Sequence, residues 1–113
     1  MAADFPPHSL DAIAERLIAL RELSGLKQNL YAKSLGITPT AWNNWERALQ
    51  RISIDAARKV YQHTGVDAHW IYDGDTRLLS PAKSAELAAQ VEKVRARRAS
   101  EEPPPPKPPR KRA

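Results

Sequence analysis

The chain contains no cysteine, which rules out disulfides and thiolate metal sites. A reducing compartment is consistent with that lack. No apolar run nears the roughly 18 residues that a membrane-spanning helix needs. The opening MAADFPPHSL has neither a basic start nor an apolar core, so it does not read as a signal peptide. A cytoplasmic location is the expectation. Glycine and histidine are scarce, at four and three residues. No glycine-rich phosphate cradle, Ser/His/Asp arrangement or paired-carboxylate site is visible. An enzyme is therefore not expected, and neither is a cofactor. His63, Asp67 and His69 lie close in sequence, but their spacing fits no common zinc pattern, so no metal is expected there. No stretch alternates apolar and polar residues with a period of two, which points to an all-α fold.

What is present is one domain's worth of chain, 113 residues, with a net charge of +5. The charge is unevenly placed. Residues 1–80 carry nine Lys/Arg and nine Asp/Glu, hence zero; residues 81–113 carry nine and four, hence +5. A basic segment suggests an anionic partner such as nucleic acid, or else a solvated tail.

Residues 1–8, with Pro6 and Pro7, read as a short loose arm. Leu10, Ile13, Ala14, Leu17, Leu20 and Arg21 then recur at helical spacing. Ser9 is a fitting N-cap for that helix, and Gly25 marks its end. A second helix is expected from about Lys27 to Leu35, stopped by Gly36. Thr38 and Pro39 open a third, which should reach about Ala48. Ser53 caps a fourth running through Thr64, with Ile54, Ala57 and Val60 expected on its inner face. A short fifth helix covers Ala68 to Tyr72. Residues 81–99 should form an additional helix with a thin apolar stripe of Leu87, Val91 and Val94, exposed or loosely docked. The end, EEPPPPKPPRKRA over 101–113, is expected to be a disordered basic tail, with a polyproline ligand as the other reading.

The stretch GITPTAWNNWERALQRI places Trp42 and Trp45 three residues apart with Asn43 and Asn44 between them. At about 100° per residue, Ala41, Trp42 and Trp45 share one side of a helix. Thr40, Asn43, Asn44 and Arg47 share the other. The tryptophans read as core anchors. The amide-rich face suits the edges of DNA bases, because Asn pairs bidentately with adenine and Thr offers a hydroxyl and a methyl. An ordinary solvated helix face has the same composition, and the surroundings decide between the two.

Those surroundings are Gln28, Ala32, Gly36, Ile37, Thr38, Trp42, Trp45 and Glu46, at the spacings of a helix-turn-helix. LKQNLYAKSLGITPTAWNNWERAL resembles the Cro and phage-repressor type of helix-turn-helix domain, and GVDAHWIYDGD resembles the end of the same five-helix fold. The resemblance covers about residues 9–76 and frames a DNA-binding domain over 9–80. It implies that Pro39, Thr40, Asn43 and Asn44 sit where bases are read. It implies phosphate contacts for Gln28, Arg47 and Arg51, and a buried ion pair between Arg21 and Glu46. It implies a homodimer joined through Val66, Asp67, Trp70, Ile71 and Tyr72. Some positions depart from the pattern. Lys27 stands where a capping Thr or Ser is usual, Tyr31 where Leu is common, and Ala48 where Gly is usual, so the exit of the third helix is expected to differ. Pro39 offers no side-chain hydrogen bond to a base.

The function so implied is a sequence-specific transcriptional regulator, a repressor bound to double-stranded DNA as a dimer. The alternative is a protein-interaction module, antitoxin-like or an adaptor, with weak DNA binding and a protein partner held by the C-terminal segment.

Overall fold

The computed structural model describes residues 6–100, and the expected disordered tail and most of the expected N-terminal arm lie outside that range. Six helices follow one another: α1 Leu10–Ser24, α2 Gln28–Ser34, α3 Pro39–Glu46, α4 Ile54–Thr64, α5 Ala68–Asp73 and α6 Pro81–Ser100. There is no strand among the described residues.

The helix starts follow from side-chain chemistry. A helix begins with backbone N–H groups that have no partner in the helix, and a nearby hydroxyl can accept from them. Ser9 accepts from the Ala12 N–H at 3.1 Å, Thr38 from Ala41 at 3.2 Å and Ser53 from Ala56 at 3.1 Å. Lys27 precedes α2 without such a bond, as a side chain lacking an acceptor must.

The helix ends need a left-handed residue. After α2 the Gly36 N–H donates to Lys33 and the Ile37 N–H to Ala32, with Gly36 at φ 75°. After α3 the same double bond recurs: Ala48 donates to Trp45 and Leu49 to Asn44. Here the left-handed residue is alanine, at φ 60°. The exit of α3 therefore keeps the geometry that glycine normally provides, contrary to the expectation of a different exit. The Cβ of Ala48 must bear the steric cost. Ala48→Gly should raise stability by about 1 kcal/mol, read as a higher urea midpoint at unchanged slope. A lower midpoint would show that Ala48 is not strained.

The core is built on α1. Ile13, Leu17 and Leu20 meet Trp42, Trp45, Val60, Val66 and Ile71. Ile54, expected inside, is instead 71% exposed; Ala56, Ala57 and Val60 form the buried face of α4. Being the first residue of α4, Ile54 lies at the edge where that helix leaves the core.

α6 corrects a third expectation. It is neither exposed nor loosely docked: Leu87 and Val94 are fully buried, and Leu87 joins the main core. Ala12, Glu15, Ala19 and Glu22 share one face of α1 by helical spacing. The alanines let α6 approach closely, while the two acids meet its cations. Glu15, 2% exposed, lies 3.1 Å from Arg95 and 3.8 Å from Arg98; Glu22 lies 2.7 Å from Arg97. A thin apolar stripe suffices here because charge partners flank it.

Candidate nucleic-acid interface

The helix-turn-helix is formed by α2, the turn 35–38 and α3. The back of α3 is fixed by aromatic packing. The Trp42 ring meets Tyr31 edge-on at 5.2 Å and Trp45 at 5.7 Å between centroids. Such tilted pairs match a ring's positive edge to the neighbouring negative face. Tyr31 is buried, and its hydroxyl has no hydrogen-bond partner among the described residues. Desolvation, with Glu46 nearby, pushes its phenol up to about 12.

Glu46 is the polar centre of the motif. Its Oε2 accepts from Arg21 Nε at 2.6 Å and from the indole N–H of Trp42. Its Oε1 accepts from Arg21 Nη2 at 3.1 Å and from the amide nitrogen of Gln28 at 2.9 Å. One carboxylate thus ties α1, α2 and α3 together. Its hydrogen bonds and charge raise the pKa of Arg21 despite the desolvation of that guanidinium. The turn itself is held from α4, where Lys59 Nζ donates to the Gly36 carbonyl at 3.0 Å.

The opposite side of α3 faces solvent. Thr40 and Arg47 are exposed, and Pro39, Asn43 and Asn44 are half-buried. Thr40, Asn43, Asn44 and the capping Arg47 lie on the side away from Trp42 and Trp45, with Pro39 at the edge of that face nearer Trp42. Arg51, in the following loop, donates to the His8 carbonyl at 2.6 Å, which draws the start of the chain beside this face. A guanidinium has five N–H donors, so Arg51 keeps several free for an anion. The Gln28 amide nitrogen differs, because its bond to Glu46 commits it to the fold; the phosphate role implied for it requires another of its groups. Neither this bond nor the Lys59 and Arg51 contacts had a signal in residue spacing, since each joins chain segments far apart.

Charge is also sorted. Residues 27–53 carry Lys27, Lys33, Arg47 and Arg51 against Glu46 alone, which is four minus one, or +3. Glu46 is buried and paired. The acids of α1, meanwhile, face the arginines of α6. A neutral sum over residues 1–80 therefore conceals a basic helix-turn-helix surface.

The side chains implied for a dimer contact pack largely within the single chain. Val66, Asp67, Trp70 and Ile71 are each at most 8% exposed within a single chain. Tyr72 is half-buried and donates its hydroxyl to the Ile52 carbonyl. These five fill or line the protomer's own core, because α5 is a short helix closing the domain against α1 and α4. Among the described residues no group of three or more His, Cys, Asp or Glu is arranged to hold a metal. None of the described helices is long and apolar enough to cross a membrane.

A tight left-handed turn, a recognition helix locked by its back, and a basic outward side define a helix-turn-helix DNA-binding domain. Residues 17–71 match the family described as helix-turn-helix, and this segment is a domain of the Cro and phage-repressor type, a class of DNA-binding transcription regulators. No curated protein and no solved structure matches the chain.

Proposed function

We propose that this protein is a sequence-specific repressor that binds operator DNA as a dimer, with α3 in the major groove. The observation that carries the reading is the two-sidedness of α3. Its back is locked by Trp42, Trp45 and Glu46, so its front holds Thr40, Asn43 and Asn44 in fixed positions. Preorganised donors and acceptors discriminate bases, whereas a mobile face would not. Pro39 contributes shape rather than a hydrogen bond. Arg47 and Arg51 bind flanking phosphates and set the register, with Gln28 at the start of α2 on the same side. Two such domains would lie in successive major grooves, about 34–36 Å apart. The protein acts in the cytoplasm.

The test is the Asn44→Ala variant against operator and scrambled duplexes, the operator being selected from a random pool. The preference for operator should fall by about 1–3 kcal/mol, the worth of a bidentate Asn–adenine pair, while affinity for scrambled DNA changes little. An unchanged preference would remove Asn44 from the reading set. Failure of the wild-type protein to select any sequence would overturn the regulator itself.

A further inference from the structure

The turn ahead of α1 is held by two arginines from distant parts of the chain. Residues 6–9 belong to no helix, and the Ser9 N–H donates to the Pro6 carbonyl at 3.0 Å. Pro6 and Pro7 stiffen this turn, and having no N–H they bring it acceptors only. The Pro7 carbonyl accepts from Arg16 Nη2, and the next carbonyl, that of His8, accepts from Arg51 Nη1 at 2.6 Å. Arg16 is itself fixed. It is 8% exposed, and its Nη1 donates to the Ile71 carbonyl at 2.9 Å. Gly74 leaves it room, since a Cβ there would stand 2.9 Å from Nη2. Arg51 differs. The backbone beside it is secured, because Ile52 is buried and its carbonyl accepts the Tyr72 hydroxyl, but the Arg51 side chain is exposed. An exposed arginine carries much rotamer freedom, and here one carbonyl restricts it. The nature of the acceptor matters. A carboxylate would orient the guanidinium and cancel its charge, whereas a carbonyl orients it and leaves the charge for an anion.

We propose that the turn at residues 6–9 is a positioning element of the DNA interface: Arg16 anchors it to the domain, and the His8 carbonyl holds the Arg51 guanidinium ready for a flanking phosphate. An arginine that is already ordered loses less freedom when it binds, so its phosphate contact costs less entropy. Arg16 and the His8 backbone thereby act on DNA affinity without touching DNA. The purpose of the turn rests on the proposed function; the contact between His8 and Arg51 does not, and it needs no DNA to be observed.

The experiment joins side-chain nitrogen relaxation of the free full chain with DNA binding at several salt concentrations. In the wild type the Arg51 Nε order parameter should exceed about 0.6, the level below which a group is flexible, while the exposed Arg58 should fall below it. Pro6→Gly with Pro7→Gly loosens the turn at exposed positions, and Arg16→Gln removes the anchor. Each change should take Arg51 below that level. The proline pair should leave the thermal midpoint near the wild-type value, so it decides the matter if Arg16→Gln proves unstable. On DNA, the loosened turn should weaken binding by about three- to tenfold, the cost of ordering one long side chain, at unchanged salt slope. Arg51→Ala should instead lower that slope by about 0.9, the share of one phosphate. In the Arg51→Ala background, loosening the turn should weaken binding no further. An Arg51 that is mobile in the wild type, or a loosened turn that weakens binding equally without Arg51, would overturn the proposal. So would an Arg51→Ala variant with wild-type affinity and slope. A wild type whose Arg51 is ordered by the turn but which binds no DNA would overturn the regulator reading, and with it the turn's purpose, while the contact itself stands.

Discussion

Replacing Glu46 with alanine should lower the stability of the domain by about 3–5 kcal/mol, the usual cost of stranding one partner of a buried ion pair. The expected loss is large because the carboxylate serves several groups at once. Arg21 would keep its charge beside the core, and the indole N–H of Trp42 and the amide of Gln28 would lose their acceptor. Glu46→Gln, which keeps the shape and one oxygen, should cost less. Arg21→Ala should also be strongly destabilising. The double variant should lose much less than the sum of the two single losses, because its second change removes a charge already unpaired. Urea midpoints measure all four variants. A Glu46→Ala midpoint equal to the wild-type value would show that the pair does not hold the three helices together. DNA binding by the surviving folded fraction is expected to weaken too, since Glu46 sets the seat of α3 against α1.

The second large effect is expected from a residue outside the matched segment. Leu87→Ala should cost about 2–5 kcal/mol, the range for truncating a fully buried leucine. Leu87 lies on α6 but belongs to the same core as Leu17 and Trp42. The variant should therefore unfold in one transition at a lower midpoint, with α6 as part of the cooperative unit. The flanking ion pair Arg97–Glu22, with both side chains partly exposed, should contribute only about 0–1 kcal/mol, so Arg97→Ala is the contrasting control. If Leu87→Ala left the midpoint unchanged, α6 would be an appendage and its packing against α1 energetically empty.

These two residues show where sequence reading succeeds and where it stops. The Arg21–Glu46 pair was reached through resemblance, because helix-turn-helix spacing aligns those positions. The extra acceptor duty toward Trp42 and Gln28 was not, because it depends on how three helices cross. For Leu87 the periodicity indicated a helix and a stripe. Whether a thin stripe docks depends on the surface it meets, and the receptive face of α1 lies some 70 residues away in the chain. Ile54 failed for a related reason. Its apolar character suggested the core, but its place at the first turn of α4 carries it past the core's edge.

The sequence by itself determined the helical class, the approximate place of each helix, and the two-sidedness of α3. These are local matters: a hydroxyl caps its own helix, a left-handed residue ends it, and a period of about 3.6 residues sorts its faces. It also carried the family likeness, since that rests on spacing along the chain. Only the tertiary structure decided that α6 is integral and that the acids of α1 neutralise its arginines, leaving the helix-turn-helix surface basic. Only it moved Val66, Trp70 and Ile71 inside and left Ile54, Tyr61 and Leu78 exposed around one groove. Those outcomes depend on which surfaces meet across long stretches of chain, and burial, charge pairing and exposed grooves exist only after they have met.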